Sequence, residues 1–510
     1  MCPGALPRAD QRSIMKLLLI HLSTICLSLA GGVLLSLAFP PWNQYWLVWI
    51  GFTPVLAGLL LFPRNWFTSM IGGAVFGGTF GGLVFSWLLT GGLTTDWLWN
   101  FGSFLLLGAI WGAFLGVVVH LPAGNGHRQV APIMPGYGFN AAAWNKSISH
   151  LQAALVTAAA WTVLEWARGV LLPGWNAVGT ALQANLPLFQ LATVTGVSGL
   201  SFIVVFANLI ALTTVRRIIL EPGRMTWASR FDVTITLAVI FLAALGGFWW
   251  LQRQEAGDRQ NIAIVYPDTT DFGRLLELSE EQKEKGIDLF VWRCVRFGQG
   301  DYTKLGDTSI GKAAGLVAGT TSGENGLLSG ASIIIPGAIK NLFLMPRQRD
   351  HFQPGTSGRT LNPFAFKDAS WVILVNWEAG DPLLVRGAVN KQIQVIVALV
   401  DPLPGGPGST EQLFSNLRLW SVSLGRPVIF ASTKNFAAIV TRSGKLISNA
   451  RLTPATEVLT GSIQVPAPFD STLYGRYGDW FAVACGAIAI VTAISERLRR
   501  FHEKSGRLSA

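Results

Sequence analysis

Apolar residues in the first half of the chain run in stretches of about 20, the length that crosses roughly 30 Å of hydrocarbon. Seven such stretches lie at about 16–38, 44–62, 67–90, 97–120, 151–172, 188–214 and 231–251, and an eighth at about 479–496. Between them the pattern changes. Residues 258–478 carry mixed charges and short β-rich runs: NIAIVYP (261–267), IDLFVW (287–292), ASIIIPG (331–337), NLFLMP (341–346), WVILVNW (371–377), IQVIVALVD (393–401), PVIFAS (427–432), FAAIVT (436–441) and LTGSIQV (459–465). Helical spacing separates some of them, in LLELSEEQKEKG (275–286) and QLFSNLRLWSVSLGR (412–426). The loops PLPGGPGST (402–410) and TTSGENG (320–326) are rich in Gly, Pro and Ser. The pattern predicts a polytopic α-helical membrane protein in three parts. Residues 1–257 form a membrane domain of seven transmembrane helices, 258–478 an α/β domain in water, and 479–510 a last helix with a basic tail.

Charge refines this picture. Only 13% of the chain is charged, about half the share of an ordinary soluble protein, and 50% is hydrophobic. The cations of the membrane region gather at Arg8, Arg12 and Lys16, at Arg64, Arg128 and Lys146, at Arg216, Arg217, Arg224 and Arg230, and along 497–507. Only Arg168 and Arg253 fall on the other side. The positive-inside bias puts both termini in the cytoplasm and 258–478 on the extracytoplasmic face. The net charge of +11 therefore reports topology and argues against nucleic-acid binding. The first span is too long for a cleaved signal peptide and reads as an uncleaved helix.

Candidate chemistry is sparse. Of Cys2, Cys26, Cys294 and Cys485, only Cys294 lies in 258–478, so no disulfide is expected within that domain. His351 is its one histidine, and no His/Cys cluster has metal spacing, so neither a metal nor a cofactor is predicted. Glu165 and Arg168 lie one helical turn apart inside a span and are expected to pair with each other or with headgroups. Trp161, Trp166 and Trp175 are candidates for an acyl groove or for ordinary bundle packing.

The segment Trp371–Glu378 reads as a buried strand that ends in the turn Asn376-Trp377-Glu378. It resembles the nucleophile strand of the nitrilase (carbon–nitrogen hydrolase) superfamily, in which a Cys precedes an aromatic residue and a Glu. Further segments, LAFPPWNQYWLVWIGFTPVLAGLL (37–60), the stretch from WTVLEWARG to FANLIAL (161–212) and TLYGRYGDWF (472–481), are similar to apolipoprotein N-acyltransferases. The resemblance covers nearly the whole chain. It implies a nitrilase-like αββα sandwich on the extracytoplasmic side of a bacterial inner membrane. It also implies phospholipid and lipoprotein as partners, a protein partner being a further possibility, and an acyl chain carried on a cysteine thiol to the amino group of a lipoprotein's N-terminal cysteine.

Transferred residue by residue, the resemblance puts Cys294 at the family's Glu, Asn341 at its Lys beside Lys340, Asn376 at its Cys and Arg349 at a further Glu. Glu378 alone keeps its type. A carboxamide cannot form a thioester, so standard catalysis is not expected at Asn376. Two readings stay open. Either acyl transfer runs with displaced chemistry, with Cys294 between Arg293 and Arg296 as the thiol, or the chain is a pseudoenzyme that binds lipid, lipoprotein or a partner.

Overall fold

Every apolar stretch predicted to cross the membrane carries helix. In the computed structural model, residues 8–508 are described except 61–65, 90–94, 119–137, 172–176, 221–226, 254–255, 268, 298–300, 302–303, 306–307, 309, 311–313, 322–327, 336–337, 343–360, 362, 381, 401–406, 433–435 and 452–456. Helices α1 (Arg8–Ser36), α2 (Thr53–Leu60), α3 (Trp66–Val84), α4 (Thr95–Val118), α5 (Gly138–Leu171), α6 (Ala192–Leu220) and α7 (Trp227–Gln252) form the bundle. Among the described residues, five segments are long and apolar enough to span: Leu18–Ser36, Phe67–Val84, Trp144–Gly169, Ala192–Leu220 and Arg230–Gln252. Three apolar helices are shorter, at Tyr45–Leu60, Phe101–Leu115 and Trp480–Ser495.

Contacts without side chains hold part of the bundle. A Cβ on Gly77 would lie 1.9 Å from the carbonyl oxygen of Gly108, and one on Gly112 would lie 1.9 Å from that of Gly73. Glycines four apart on α3 and α4 thus bring the two backbones together, as small residues do within membranes. Polar groups tie other helices. Asp232 on α7 is fully buried, 3.1 Å from Nδ1 of His150 on α5 and 3.5 Å from Nη2 of Arg217 on α6. Glu165 interacts with Arg168 as expected, and its Oε1 also accepts the Val178 N–H at 2.8 Å at the start of the 3-10 helix Val178–Ala184. Trp161 packs edge-on against Phe52 with ring centroids 4.8 Å apart, which is bundle packing. Trp175 lies outside the described residues.

The strands form two six-stranded sheets. The first has the order β12-β1-β2-β3-β4-β5 and the second β11-β10-β9-β8-β7-β6. Their ranges are β1 (Asp258–Val265), β2 (Leu289–Val295), β3 (Gly315–Thr321), β4 (Leu328–Ile335), β5 (Ala338–Leu342), β6 (Phe364–Phe366), β7 (Ala369–Val375), β8 (Val395–Val400), β9 (Val428–Ser432), β10 (Phe436–Val440), β11 (Leu446–Arg451) and β12 (Val458–Val465). Eight of the nine predicted strands appear; of the ninth, NLFLMP, residues 341–342 end β5 and 343–346 lie outside the described residues, and β3, β6 and β11 are additional. The sequence of β3, GLVAGTT, lacks the bulky β-branched run that announces a strand, yet it pairs parallel to β2 in the sheet interior.

Alternation along the strands sorts side chains into layers. Ile262, Ile264, Val291, Val317, Ile373, Val397 and Ile429 meet between the sheets. The outer face of the first sheet carries Ala263, Val265, Phe290 and Trp292, covered by Phe272, Leu275 and Leu278 of α8 (Phe272–Glu280). The outer face of the second, with Val372, Leu374, Ile396 and Phe430, is covered by α9 (Pro382–Asn390) and α10 (Pro407–Leu424). The result is an αββα sandwich. Residues 407–410, predicted as loop, already belong to α10, whose first residue is the proline tolerated there.

Helix α10 belongs to two bodies at once. Its apolar residues Leu413, Leu417, Trp420 and Leu424 share one continuous core with the bundle residues Phe39, Phe189 and Leu200. Its polar side meets the bundle too. The Nε2 of Gln412 donates to the carbonyl oxygens of Val84 (2.8 Å) and Pro40 (3.2 Å), and its Oε1 accepts from Trp87 Nε1 (3.0 Å). Ser415 accepts from Gln183 Nε2 at 2.8 Å. The last helix, α11 (Trp480–Leu508), is fixed to a break in α6 at Gly196, whose φ of +65° only glycine adopts cheaply. A Cβ there would lie 2.4 Å from the Tyr474 ring, and Trp480 Nε1 donates to the carbonyl oxygen of Val194 at 2.8 Å.

Candidate functional site

The family positions fall on three strands, β2, β5 and β7, of the two facing sheets. Along β2, Leu289 and Val291 face the second sheet, while Phe290 and Trp292 face α8. Strict alternation would put Cys294 on the α8 side. The pairing with β3 shifts register between Trp292 and Val295, and this bulge turns Cys294 into the inter-sheet layer, 2% exposed. Arg293, at the same irregularity, is buried as well.

On β5 the register separates two neighbours. Asn341 pairs with Ser332, on the row that contains Ala318 and Trp292 of the α8 side. Lys340 pairs with Ile333, whose row faces the second sheet. By strand register, position 340 rather than 341 lies on the inter-sheet face.

Strand β7 ends at Val375, and Asn376–Gly380 form one 3-10 turn. Asn376 therefore stands at the carboxyl end of a buried strand, where a site of this architecture is built. Glu378 bends back onto its own strand: Oε2 accepts the Val375 N–H at 3.0 Å and closes the turn. Arg349 and His351 lie outside the described residues. Among the described residues no group of three or more His, Cys, Asp or Glu side chains is placed to hold a metal ion.

Sequence reasoning missed one residue in this layer. Tyr266, directly after β1, is fully buried in the same apolar cluster as Cys294. It closes the run NIAIVYP, and the inward alternation of Ile262 and Ile264 was the available signal.

Apolar helices long enough to cross a bilayer, joined to an αββα sandwich of two six-stranded sheets, define a membrane protein with a carbon–nitrogen-hydrolase-like domain. Residues 31–210 match the family model for the apolipoprotein N-acyltransferase N-terminal domain. The apolipoprotein N-acyltransferase of Geobacter metallireducens is 24% identical over an alignment of 540 residues, covering 94% of this chain and 96% of that protein. That of Bradyrhizobium diazoefficiens is 29% identical over 425 residues, covering 72% and 77%. Along nearly its whole length the chain is thus similar to apolipoprotein N-acyltransferases. A carbon–nitrogen hydrolase from Helicobacter pylori superposes with a TM-score of 0.30 at 13% identity, over 40% of this chain and 89% of that one.

Proposed function

We propose that this protein acts in lipoprotein maturation at a bacterial inner membrane, with the sandwich on the extracytoplasmic side. It takes an acyl chain from a phospholipid and delivers it to the amino group of a lipoprotein's N-terminal cysteine. Similarity to one named N-acyltransferase along 94% of the chain, and to a second along 72%, supports this reading. The basic clusters on the loops assigned to the inside support the sidedness.

Within it, the thiol is Cys294, which the β2 bulge brings into the inter-sheet layer. Its thiolate would attack the ester carbonyl of the phospholipid. A C–S bond forms, the C–O bond breaks, and the lysophospholipid oxygen leaves with the thiol's proton. The lipoprotein amine then attacks the thioester. The C–N bond forms, the C–S bond breaks, and the amine returns a proton to sulfur. Lys340, whose position lies on the inter-sheet row, would serve the developing oxyanion.

A second reading is binding without turnover. Asn376 favours it, because a carboxamide at the family's cysteine position forms no thioester, and so does Glu378, whose Oε2 already serves the backbone. One experiment separates the two. Purified protein is incubated with a fluorescent phospholipid and analysed for a hydroxylamine-labile adduct. Acyl transfer predicts label on Cys294, lost in Cys294→Ala. The binding reading predicts no adduct and equal retention of lipid by both proteins.

A further inference from the structure

The inter-sheet layer contains a hydroxyl that the fold does not use. Tyr266 is fully buried among Ile264, Val291, Cys294 and Val317, and its Oη makes no hydrogen bond. Its backbone is well placed: the N–H donates to the carbonyl oxygen of Glu457 at 2.8 Å, one strand to the side. On the other side, Val265 pairs with Trp292, so Tyr266 adjoins the bulge that carries Arg293 and Cys294. An O–H buried without an acceptor costs about 1–3 kcal/mol. Phenylalanine would fill the same space without that cost.

Among the other buried polar atoms without partners in the described residues, only the Nε of Arg293, a charged group with further interactions, lies at the same bulge. Trp371 Nε1 lies at the amino end of β7, boxed by Phe364 and Phe366, and Gln260 Oε1 lies near the start of β1. Among the described residues, Tyr266 alone pairs an unused hydroxyl with the carboxyl end of the layer beside Cys294. Burial also pushes the phenol's ionisation up, so at neutral pH it remains a neutral donor. A neutral O–H donor in a layer of mostly aliphatic side chains matches a neutral acceptor attached to hydrocarbon.

We propose that Tyr266 is a ligand-binding residue of the inter-sheet site, its Oη donating a hydrogen bond to the carbonyl oxygen of a fatty acyl ester. This rests on the reading above that the layer receives an acylated lipid. The probes are diacyl phosphatidylethanolamine and its dialkyl ether analogue, which lacks the carbonyls, with affinities measured by native mass spectrometry of the full-length protein. Wild type is expected to prefer the diacyl lipid about tenfold, the worth of one hydrogen bond in a dry site. Tyr266→Phe is expected to erase that preference while its Tm stays equal or rises. A preference that survives in Tyr266→Phe overturns the assignment alone, as does a lowered Tm, which would show the hydroxyl employed within the fold. Wild-type protein that binds neither lipid overturns the lipid reading and the assignment together.

Discussion

Asp232 shows what a single residue supports here. Fully buried on α7, it faces Arg217 of α6 and His150 of α5, and Arg217 is itself only 4% exposed. Removing the carboxylate leaves a guanidinium in a dry place without its counter-charge. Asp232→Ala should therefore lower stability by about 3–5 kcal/mol, read as a reduced midpoint of thermal unfolding in detergent. Arg426 is a second such residue. It is fully buried, and its Nη1 and Nη2 donate to the carbonyl oxygens of Asp470 (2.6 Å) and Pro468 (3.3 Å). Burial pulls its pKa down to about 10, which still leaves it charged at neutral pH. Arg426→Met removes both hydrogen bonds to that segment, at about 1 kcal/mol each, visible as earlier proteolysis of the 466–472 segment. At this scale the sequence was readable for residue type and not for direction. That position 376 is Asn is plain from the chain. That Cys294 faces inward depends on a bulge, and that 340 rather than 341 shares the inner row depends on the β4–β5 register. Neither can be read from a single strand, because a shift of one residue reverses every face.

Among the elements, α3 and α4 and the helix α10 repay comparison. The glycines Gly73, Gly77 and Gly81 recur every fourth residue, as do Gly108 and Gly112. The spacing was visible, but only the contact distances reveal that the two sets meet. Gly77→Ala would set a methyl carbon 1.9 Å from the Gly108 carbonyl oxygen. Forcing the helices apart should cost about 1–3 kcal/mol, measurable as a lowered unfolding midpoint, with Gly102→Ala, which meets open space, as the unaffected control. The amphipathic pattern of 412–426 predicted a helix, and α10 is one. Amphipathicity ordinarily implies a polar face toward water. Here Gln412, Ser415 and Asn416 are buried instead, because the bundle supplies their surroundings. Gln412→Ala strips partners from Trp87, Pro40 and Val84, so it should lower the unfolding midpoint of the whole protein rather than that of the sandwich alone.

For the molecule as a whole, the chain disclosed a great deal. Stretches of about 20 apolar residues leave little alternative to membrane helices, and period-two runs between turn residues mark strands of a sandwich. The proposed orientation, with the basic clusters inside, predicts that green fluorescent protein fused after Ala510 fluoresces while alkaline phosphatase fused there is inactive. The reverse result would invert the topology. How the two bodies join was not legible, because the contacts link residues hundreds of positions apart, such as Trp87 with Gln412.

That junction bears on what would happen if the chain were cut. The sandwich has two covalent tethers to the bundle, one near 254–257 and one near 466–472. In most anchored proteins, severing such tethers sheds the outer domain as a soluble fragment. Here the helix layer behind β7–β10 is backed by Phe39, Phe189 and Leu200 of the bundle, not by water. A doubly nicked protein should therefore resist release, its 258–465 fragment sedimenting with the membranes until detergent dissolves them. The membrane part serves as the sandwich's missing outer wall, so the sandwich is expected not to separate from it.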